Sequence, residues 1–311
     1  MANYVFGVDI GGTTVKIGLF SIEGELLDKW EITTRKDDGG AYILQDITDS
    51  INAKLTEKGI SKEDVKGVGM GVPGPVKEDG TVVKCVNLGW GVFNAADELS
   101  ELVGLPVKVG NDANMAALGE YWQGGGKTYQ NIVMITLGTG VGGGIIINGK
   151  MLSGVNGAGG EIGHMPIDPE EQDVCNCGKK GCLEQYASAT GIVRLANRAL
   201  QASDKPSVLR EAKYVSAKEI FDAAKSGDNL ALELMEEHGK RLGYALASIA
   251  CVVDPEAFVI GGGVSKAGDI LLNTVKKYYQ EYAFHACRNT EFCLATLGND
   301  AGMYGGAASV L

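Results

Sequence analysis

Apolar residues at the start of the chain alternate and cluster in a way that predicts three strands joined by short turns. The strands are expected at Tyr4–Ile10, Val15–Ile22 and Leu26–Thr33, with glycine-containing turns between them. Strands joined by such short turns are antiparallel neighbours in a sheet. From Tyr42 to Lys58 the apolar residues recur at helical spacing, which predicts a helix covering one face of that sheet.

The pattern continues through this first unit and then begins again. Further elements of the first unit are expected at Val65–Val72 (strand), Ala95–Leu102 (helix), Val107–Val109 (strand) and from about Asn114 (helix). A second unit opens with the strands Asn131–Leu137 and Val141–Ile147, followed by an Asn148-Gly149 turn. Helices are then predicted at Tyr186–Leu200, Ala217–Lys225, Leu230–Val253 and Ile270–Tyr282, strands at Ala257–Ile260 and Phe292–Leu297, and a short last helix from Ala301. The repeated opening predicts an internal duplication, with a ligand expected in the gap between the two units.

Composition narrows the possible partners. A chain of 311 residues has room for two ordinary domains. Its net charge of −11, without a Lys/Arg cluster, argues against nucleic acid and anionic membranes as partners. No apolar run reaches the roughly 18 residues of a membrane span, and the start of the chain has no secretory pattern. We therefore expect a cytoplasmic protein, which can still bind a mononucleotide through local backbone N–H groups and a cation.

Two glycine-rich turns are candidates for a phosphate site. Gly11-Gly12-Thr13-Thr14 joins two predicted strands, and the turn around Gly138-Thr139-Gly140 joins two more. Backbone N–H groups approach an anion closely where no Cβ intervenes, although a glycine pair also suits a plain hairpin. A strand follows the second turn where a dinucleotide-binding Gly-x-Gly-x-x-Gly needs a helix. Tyr121 stands where a P-loop ending in Gly126-Lys127-Thr128 needs glycine, so both of these motifs are rejected.

One aspartate is placed for chemistry. Asn111-Asp112 lies where a short apolar strand ends and a helix begins. Asp112 can be an ordinary helix cap. It can also be the carboxylate that orients a hydroxyl group and accepts its proton during phosphoryl transfer. The pattern by itself leaves both interpretations open.

A histidine and three cysteines form a candidate metal site. His164 precedes Cys175, Cys177 and Cys182, and intervening glycines let the chain curl. A Cys₃His set suits tetrahedral zinc, and four protein ligands leave no place for water, so the ion would be structural. A disulfide or redox pair, or cysteines that are merely small core residues, are the alternatives; the polar, lysine-containing surroundings favour zinc. His238 and His285 lack such neighbours and are expected to be structural or exposed.

These motifs resemble those of the ROK family of sugar kinases. The matching strings are DIGGTT from Asp9, TLGTGVGGG from Thr136, GAGGEIGH from Gly157, CNCGKKGCLE from Cys175 and VIGGGVS from Val259. The resemblance extends from Val5 to the end of the chain. It implies an α/β fold of two ribonuclease-H-like (actin-like ATPase) domains with a cleft between them. The implied domains are residues 1–118, completed by a helix at 299–311, and residues 119–298 with the zinc loop.

The resemblance also implies roles for individual residues. Asp112 is implied as the general base. The residues implied for ATP and Mg²⁺ are Asp9, Gly11, Gly12, Thr13, Thr14, Lys16, Gly138, Thr139, Gly140, Gly261 and Gly262. Those implied for the sugar are Asn111, Asp112, Glu161, His164, Glu184, Gly74 and Asn87. The implied ligands of a structural Zn²⁺ are His164, Cys175, Cys177 and Cys182.

The function implied is transfer of phosphate from ATP to the 6-hydroxyl of glucose, a glucokinase reaction of carbohydrate metabolism and glycolysis. Other acceptors of this design are N-acetylmannosamine, N-acetylglucosamine, fructose, mannose and allose. A sugar-sensing repressor is a rival, but it would carry a DNA-binding segment where only four residues precede Val5. A filament-forming actin-like protein would have no use for the cysteine loop. Members of the family are often dimers or tetramers, so a homodimer or homotetramer is expected, without nucleic-acid or membrane partners.

Overall fold

The computed structural model, which describes residues 2–311, contains two five-stranded sheets, a small two-stranded sheet and the helices. The strands are β1 Tyr4–Ile10, β2 Thr14–Ser21, β3 Leu26–Thr33, β4 Val65–Val72, β5 Thr81–Val82, β6 Phe93–Asn94, β7 Val107–Asn111, β8 Ile132–Leu137, β9 Val141–Ile147, β10 Lys150–Met151, β11 Ala257–Gly261 and β12 Glu291–Leu294. The helices are α1 Asp37–Gly40, α2 Ile43–Lys58, α3 Ala95–Val103, α4 Asp112–Gln123, α5 Glu184–Ala187, α6 Ala189–Ala202, α7 Ala217–Lys225, α8 Asn229–Val253, α9 Asp269–Tyr282 and α10 Ala301–Ser309.

The first sheet has the strand order β3-β2-β1-β4-β7. Its first three strands are antiparallel, as predicted, and β4 and β7 continue it in parallel. The apolar stripe of α2 is buried as its spacing predicted. On β1, a Cβ added to Gly7 would stand 1.8 Å from the carbonyl oxygen of Met303, so α10 packs directly on the strand. Only a strand without a side chain there permits this approach.

The second sheet repeats that order as β10-β9-β8-β11-β12. Strands β8, β11 and β12 are parallel, and β9 pairs antiparallel with the short β10. The shared order agrees with the predicted duplication. The predicted strand Phe292–Leu297 is wrong at its end, because β12 stops at Leu294. Beyond it, the N–H groups of Thr296 and Leu297 donate to the buried carboxylate of Glu120 at 2.9 and 2.8 Å instead of continuing a ladder.

The single helix predicted over Tyr186–Leu200 is also wrong, because the chain breaks between α5 and α6. Ser188 has an extended backbone with ψ 165°, and its hydroxyl accepts the N–H of Gly191 at 2.9 Å. A serine in this conformation is a strong N-cap and starts a new helix. The first turn of α6 therefore does not continue the axis of α5, and its Thr190 contacts the second glycine turn at Thr139.

The chain divides into two compact units. The first comprises the residues up to Gln130 together with Gly144–Gly160 and Thr296–Leu311, and the second comprises Asn131–Gly143 and Glu161–Ala295. The predicted domain boundary between residues 118 and 119 stays a prediction. Within residues 2–311, no helix has both the length and the apolar composition that crossing a membrane requires.

Candidate active site

Asp9 is a partly buried carboxylate of the first unit. It lies near the end of β1, and a Cβ on Gly302 would stand 2.6 Å from its Cγ, so the start of α10 closes over it. Burial and then the charge of Asp112 raise the pKa of Asp9 from 3.8 to about 6, while Lys16 acts in the opposite direction. Two carboxylates held close together in a partly buried place favour a bound cation, which would relieve their repulsion. The geometry therefore fits the predicted magnesium site.

Asn111, not Asp112, is the N-cap of α4. The Oδ1 of Asn111 accepts the N–H of Asn114 at 3.1 Å, and its Nδ2 donates to the carbonyl of Gly74 at 3.1 Å. The capping interpretation of Asp112 is thus unnecessary, because its neighbour performs that function. Asp112 occupies the first helical position, half-exposed, with Oδ1 2.8 Å from the N–H of Ala113. The cap fixes the direction of the aspartate and also joins it to the Gly74 loop.

The first glycine turn, Gly11–Thr14, is closed by a bond from the N–H of Gly11 to the carbonyl of Thr14 at 2.9 Å. Its outer backbone is supported by Thr34, whose N–H donates to Thr13 at 2.9 Å and whose hydroxyl donates to Gly11 at 2.7 Å. Gly11, Gly12 and Thr13 are exposed. The turn is therefore held in place by Thr34 on one side and exposed to solvent on the other, as an anion site made of backbone N–H groups requires.

Lys16 and Asn87, both predicted to bind ligands, differ in whether other protein groups already hold their side chains. The Nζ of Lys16 donates to the carbonyl of Asn299 at 2.7 Å, and Lys16 pairs with Asp9 across the β1–β2 ladder. Asn87 is exposed in the short 3₁₀ turn Val86–Leu88. Lys16 is thus held by protein groups, whereas Asn87 is accessible to a ligand.

The second glycine turn, Gly138–Val141, is held by the segment that follows the cysteine loop. The N–H of Ala189 donates to Gly138 at 2.8 Å, and the hydroxyl of Thr190 donates to the carbonyl of Thr139 at 2.7 Å. On the other side, Glu184 Oε2 accepts the N–H of Val141 at 3.0 Å. A Cβ on Gly140 would stand 2.3 Å from that oxygen, so only glycine leaves room for the carboxylate.

The four predicted zinc ligands come together in the second unit. The ligand atoms of His164, Cys175, Cys177 and Cys182 all lie within 4.8 Å of one another. His164 Nδ1 is 3.8 Å from Cys175 Sγ, and Cys177 Sγ is 3.6 Å from Cys182 Sγ. Zinc–sulfur bonds of about 2.3 Å in a tetrahedron separate two sulfurs by about 3.8 Å. The residues thus fit the metal, and they have this spacing as free cysteines with no disulfide among them.

The geometry also distinguishes the two nitrogens of His164, which the sequence does not. Nδ1 faces the cysteines, so Nε2, on the opposite edge of the ring, points away from the cluster. Glu184 completes the connection, because its Oε1 is 3.7 Å from Cys175 Sγ while its Oε2 binds Val141. Glu161, at the start of the turn that carries His164, is exposed.

A buried ion cluster supports the chain that leads into the cysteines. Glu171, whose side chain is 2% exposed, contacts Arg194 and Arg198 at 2.8 and 2.9 Å and accepts from the hydroxyl of Tyr186 at 2.8 Å. The hydrogen bond from Arg198 is the main reason that the pKa of Glu171 lies far below its usual range. His238, predicted to be structural or exposed, is buried with Nε2 3.0 Å from the carbonyl of Ala187. These contacts anchor α5 and the loop on the helices below them.

Two glycines are predicted to border a nucleoside: Gly261 is the last residue of β11, and Gly262 follows the strand. Gly262 has φ +83°, and a Cβ there would stand 2.5 Å from the carbonyl of Leu137, immediately before the second glycine turn. Gly262 is exposed and Gly261 is buried. The two glycines thus lie beside the turn within the second unit.

Sequence reasoning did not identify Thr34 or Thr190, which support the two glycine turns. Each is a single threonine outside any glycine motif. Thr190 could have been suspected only if the helix break at Ser188 had been recognised, since an unbroken helix would not place its hydroxyl at Thr139.

Comparison with known proteins gives consistent results. The sequence profile of the ROK family matches residues 5–311. The chain is 48% identical to a glucokinase of Halalkalibacterium halodurans over 96% of this chain and 92% of that protein. Its structure is similar to a ROK hexokinase from Thermus thermophilus, with 30% identity, a TM-score of 0.81 and coverage of 98% and 97%. It is also similar to a ROK family glucokinase from Streptomyces griseus in complex with glucose and AMPPNP, with 35% identity, a TM-score of 0.74 and 98% of each chain covered. The predicted family and fold class are confirmed.

The raised pKa of Asp9 predicts a stability effect with a defined sign. In the unfolded chain Asp9 ionises near 3.8, whereas in the folded protein it ionises near 6. Between these values the folded state binds more protons, so the free energy of unfolding falls as pH rises. Without Mg²⁺ or nucleotide, Asp9→Asn should raise the stability at pH 7.5 by about 1–3 kcal/mol, and the gain should disappear near pH 4. Thermal unfolding at several pH values measures this; a variant less stable than the parent protein at pH 7.5 would contradict it.

Proposed function

The chain belongs to the ROK family, and we propose that it is a glucokinase, which transfers the terminal phosphate of ATP to the 6-hydroxyl of glucose. The observation that carries the choice of glucose is the 48% identity to a glucokinase over 96% of the chain. Activity as an ATP-dependent sugar kinase follows from the same relatives, and glucose phosphorylation would place the enzyme at the entry to glycolysis.

Asp112 is the general base in this proposal. Its position at the first turn of α4, fixed by the Asn111 cap, directs a carboxylate to a substrate hydroxyl group while the helix holds its backbone still. The carboxylate orients the hydroxyl and accepts its proton as the oxygen attacks the phosphorus. Asn111 has one amide hydrogen beyond its bond to Gly74, which can bind the sugar.

The phosphates are bound by backbone N–H groups of the two glycine turns. Gly11, Gly12, Thr13 and Thr14 supply one set, with the two threonine hydroxyls in addition, and Gly138, Thr139 and Gly140 supply the other. When bound, Mg²⁺ neutralises charge on the phosphate oxygens. Asp9 is the carboxylate that would face this ion, and Gly261 and Gly262 would border the adenosine.

The remaining sugar hydroxyls are assigned to residues around the cysteine loop and the Gly74 loop. Glu161, Glu184 and His164 Nε2 provide two carboxylates and an imidazole, and Gly74 and Asn87 contribute from the first unit. Polar groups that pair with particular hydroxyls discriminate between sugars, because a group without its matching hydroxyl stays unpaired in the complex. The ligand distances support a structural Zn²⁺ on His164, Cys175, Cys177 and Cys182 that fixes these residues.

We further expect the enzyme to act in the cytoplasm as a homodimer or homotetramer, with a small sugar as its substrate. Nucleic acid and membranes have no part in the proposed reaction. A sugar-sensing regulator, the rival function, would bind the sugar without consuming ATP.

The assignment of Asp112 predicts a large and specific loss of turnover. Asp112→Asn should lower kcat by at least about a thousandfold, because the amide cannot accept the proton. Sugar binding and thermal stability should remain close to those of the parent protein. Asp97→Asn, at an exposed aspartate in the first turn of α3, is the matched control and should keep full activity. A rate for Asp112→Asn near that of the control would remove Asp112 from the mechanism.

The metal assignment predicts about one zinc ion per chain by elemental analysis. Cys177→Ala should lose the metal and weaken sugar binding, measured by intrinsic fluorescence. Cys251→Ala changes an exposed cysteine on α8 and should retain both. A metal-free preparation with undiminished activity would refute the structural role of zinc.

A coupled assay of nucleotide consumption tests the function as a whole. Purified protein with Mg²⁺ and ATP should turn over glucose with a higher kcat/KM than N-acetylglucosamine, N-acetylmannosamine, N-acetylgalactosamine, mannose, fructose or allose. A different preferred sugar would correct the acceptor and leave the kinase assignment in place. Sugar binding without nucleotide consumption for every sugar would instead indicate the regulator.

A further inference from the structure

Two cations near the first glycine turn are already engaged by protein groups. Lys16 donates to the carbonyl of Asn299 at 2.7 Å and is paired with Asp9, whose negative charge it offsets. Arg35 is also engaged, because it forms two bonds to the carboxylate of Asp46 at 3.0 and 2.5 Å and lies over the ring of Tyr42. Both cations would have to leave existing partners to contact a phosphate.

Lys36 is in a different situation. Its Nζ lies 4.0 Å from the position that a Cβ would take on Gly12. Apart from Gly12 itself and the two residues next to it in the chain, no other heavy atom of residues 2–311 lies within 4 Å of that position. Lys36 is exposed, and its ammonium group has no hydrogen bond or ion pair in the described part of the chain. The acidic residues that follow it do not hold it: Asp38 accepts from the hydroxyl of Tyr42, and Asp37 is exposed. The ammonium group of Lys36 thus lies beside the exposed Gly12 of the turn and is available to a ligand.

The backbone around Lys36 is fixed at both ends. On one side Thr34 makes its two hydrogen bonds to the glycine turn, at Thr13 and Gly11. On the other side the indole N–H of Trp90 donates to the carbonyl of Gly40 at 3.1 Å, and a Cβ on Gly40 would stand 2.5 Å from the carbonyl of Leu88. Asp38, Gly39 and Gly40 all have positive φ, which makes the tight turn between these anchors. The segment therefore spans from the glycine turn to the loop around Asn87, with Lys36 between them.

The negative charge expected around the first glycine turn favours an additional cation there. Asp9 and Asp112 bring two carboxylates, and the phosphates of a nucleotide add several negative charges to them. A lysine on a flexible stem can follow the terminal phosphate as charge moves from it during transfer. Resting on the proposed function, we propose that Lys36 binds the terminal phosphates of the nucleotide at the Gly11–Gly12 turn and stabilises their charge during transfer.

The test compares Lys36→Met with Lys36→Arg and with Lys127→Met as a matched control. Lys127 is an exposed lysine in the same unit. It follows the C-terminus of α4, whereas Asp112 is at the N-terminus of that helix, and the helix is about 18 Å long at 1.5 Å per residue. The dissociation constants of ATP, ADP and adenosine are measured by calorimetry with Mg²⁺ and without sugar, and kcat and the two KM values are measured with glucose.

For Lys36→Met we expect ATP binding to weaken about tenfold, ADP binding to weaken less and adenosine binding to stay unchanged, because adenosine has no phosphate. The value of kcat/KM for ATP should fall further, by about 10- to 100-fold, with little change in the KM for glucose. Lys36→Arg should recover most of the loss, and Lys127→Met should behave as the parent protein.

Equal weakening of adenosine and ATP would overturn the proposal, since it would indicate a structural defect in place of a phosphate contact. Nucleotide affinities and kcat/KM within twofold of the control would overturn it as well. If the parent protein phosphorylates no sugar, the proposed function fails, while the ATP, ADP and adenosine series still decides whether Lys36 binds phosphate.

Discussion

The hydrogen bond from the Val141 N–H to the Glu184 carboxylate connects the chemical parts of the second unit. One oxygen of Glu184 holds the second glycine turn, and the other is 3.7 Å from a cysteine of the metal cluster. Gly163, in the turn that carries His164, approaches the carbonyl of Val141 so closely that a Cβ would stand 2.1 Å from it. Val141 is thus contacted both by the turn that carries His164 and by Glu184, which follows the cysteines. The position of this loop therefore determines the geometry of the glycine turn.

This arrangement gives the proposed structural zinc a role, although the proposed phosphoryl transfer does not need it. Long polar loops have few apolar contacts to stabilise them, and four bonds to a zinc ion would replace that missing core. The Glu171 ion cluster provides a second anchor on the helices below. In the first unit the glycine turn is supported by Thr34, and α4 is capped by Asn111. Each unit therefore holds its ligand-binding backbone with side chains that do not themselves react.

Much of this could be predicted from the sequence, because strand alternation, glycine turns and cysteine spacing are local signals. Strands β1, β3, β4 and β9 and helix α7 have the predicted bounds. The errors arose where a distant residue competes for the backbone. Glu120 takes the N–H groups of Thr296 and Leu297 and ends β12, and the Ser188 cap divides a continuous helical pattern. Sequence spacing likewise does not show that Lys16 is held by Asn299, more than 280 residues away.

The first unit is made of three separate stretches of chain, and this has a consequence during synthesis. The helix that closes over Asp9 follows the whole of the segment 161–295 in the sequence. On the ribosome, β1 and its carboxylate stay without this covering helix until Ala301–Ser309 has been synthesised. Both stretches of the second unit, Asn131–Gly143 and Glu161–Ala295, have left the ribosome before that helix is made, so this unit can fold earlier. The cover over the Asp9 carboxylate is therefore completed only after every residue of the second unit has been synthesised.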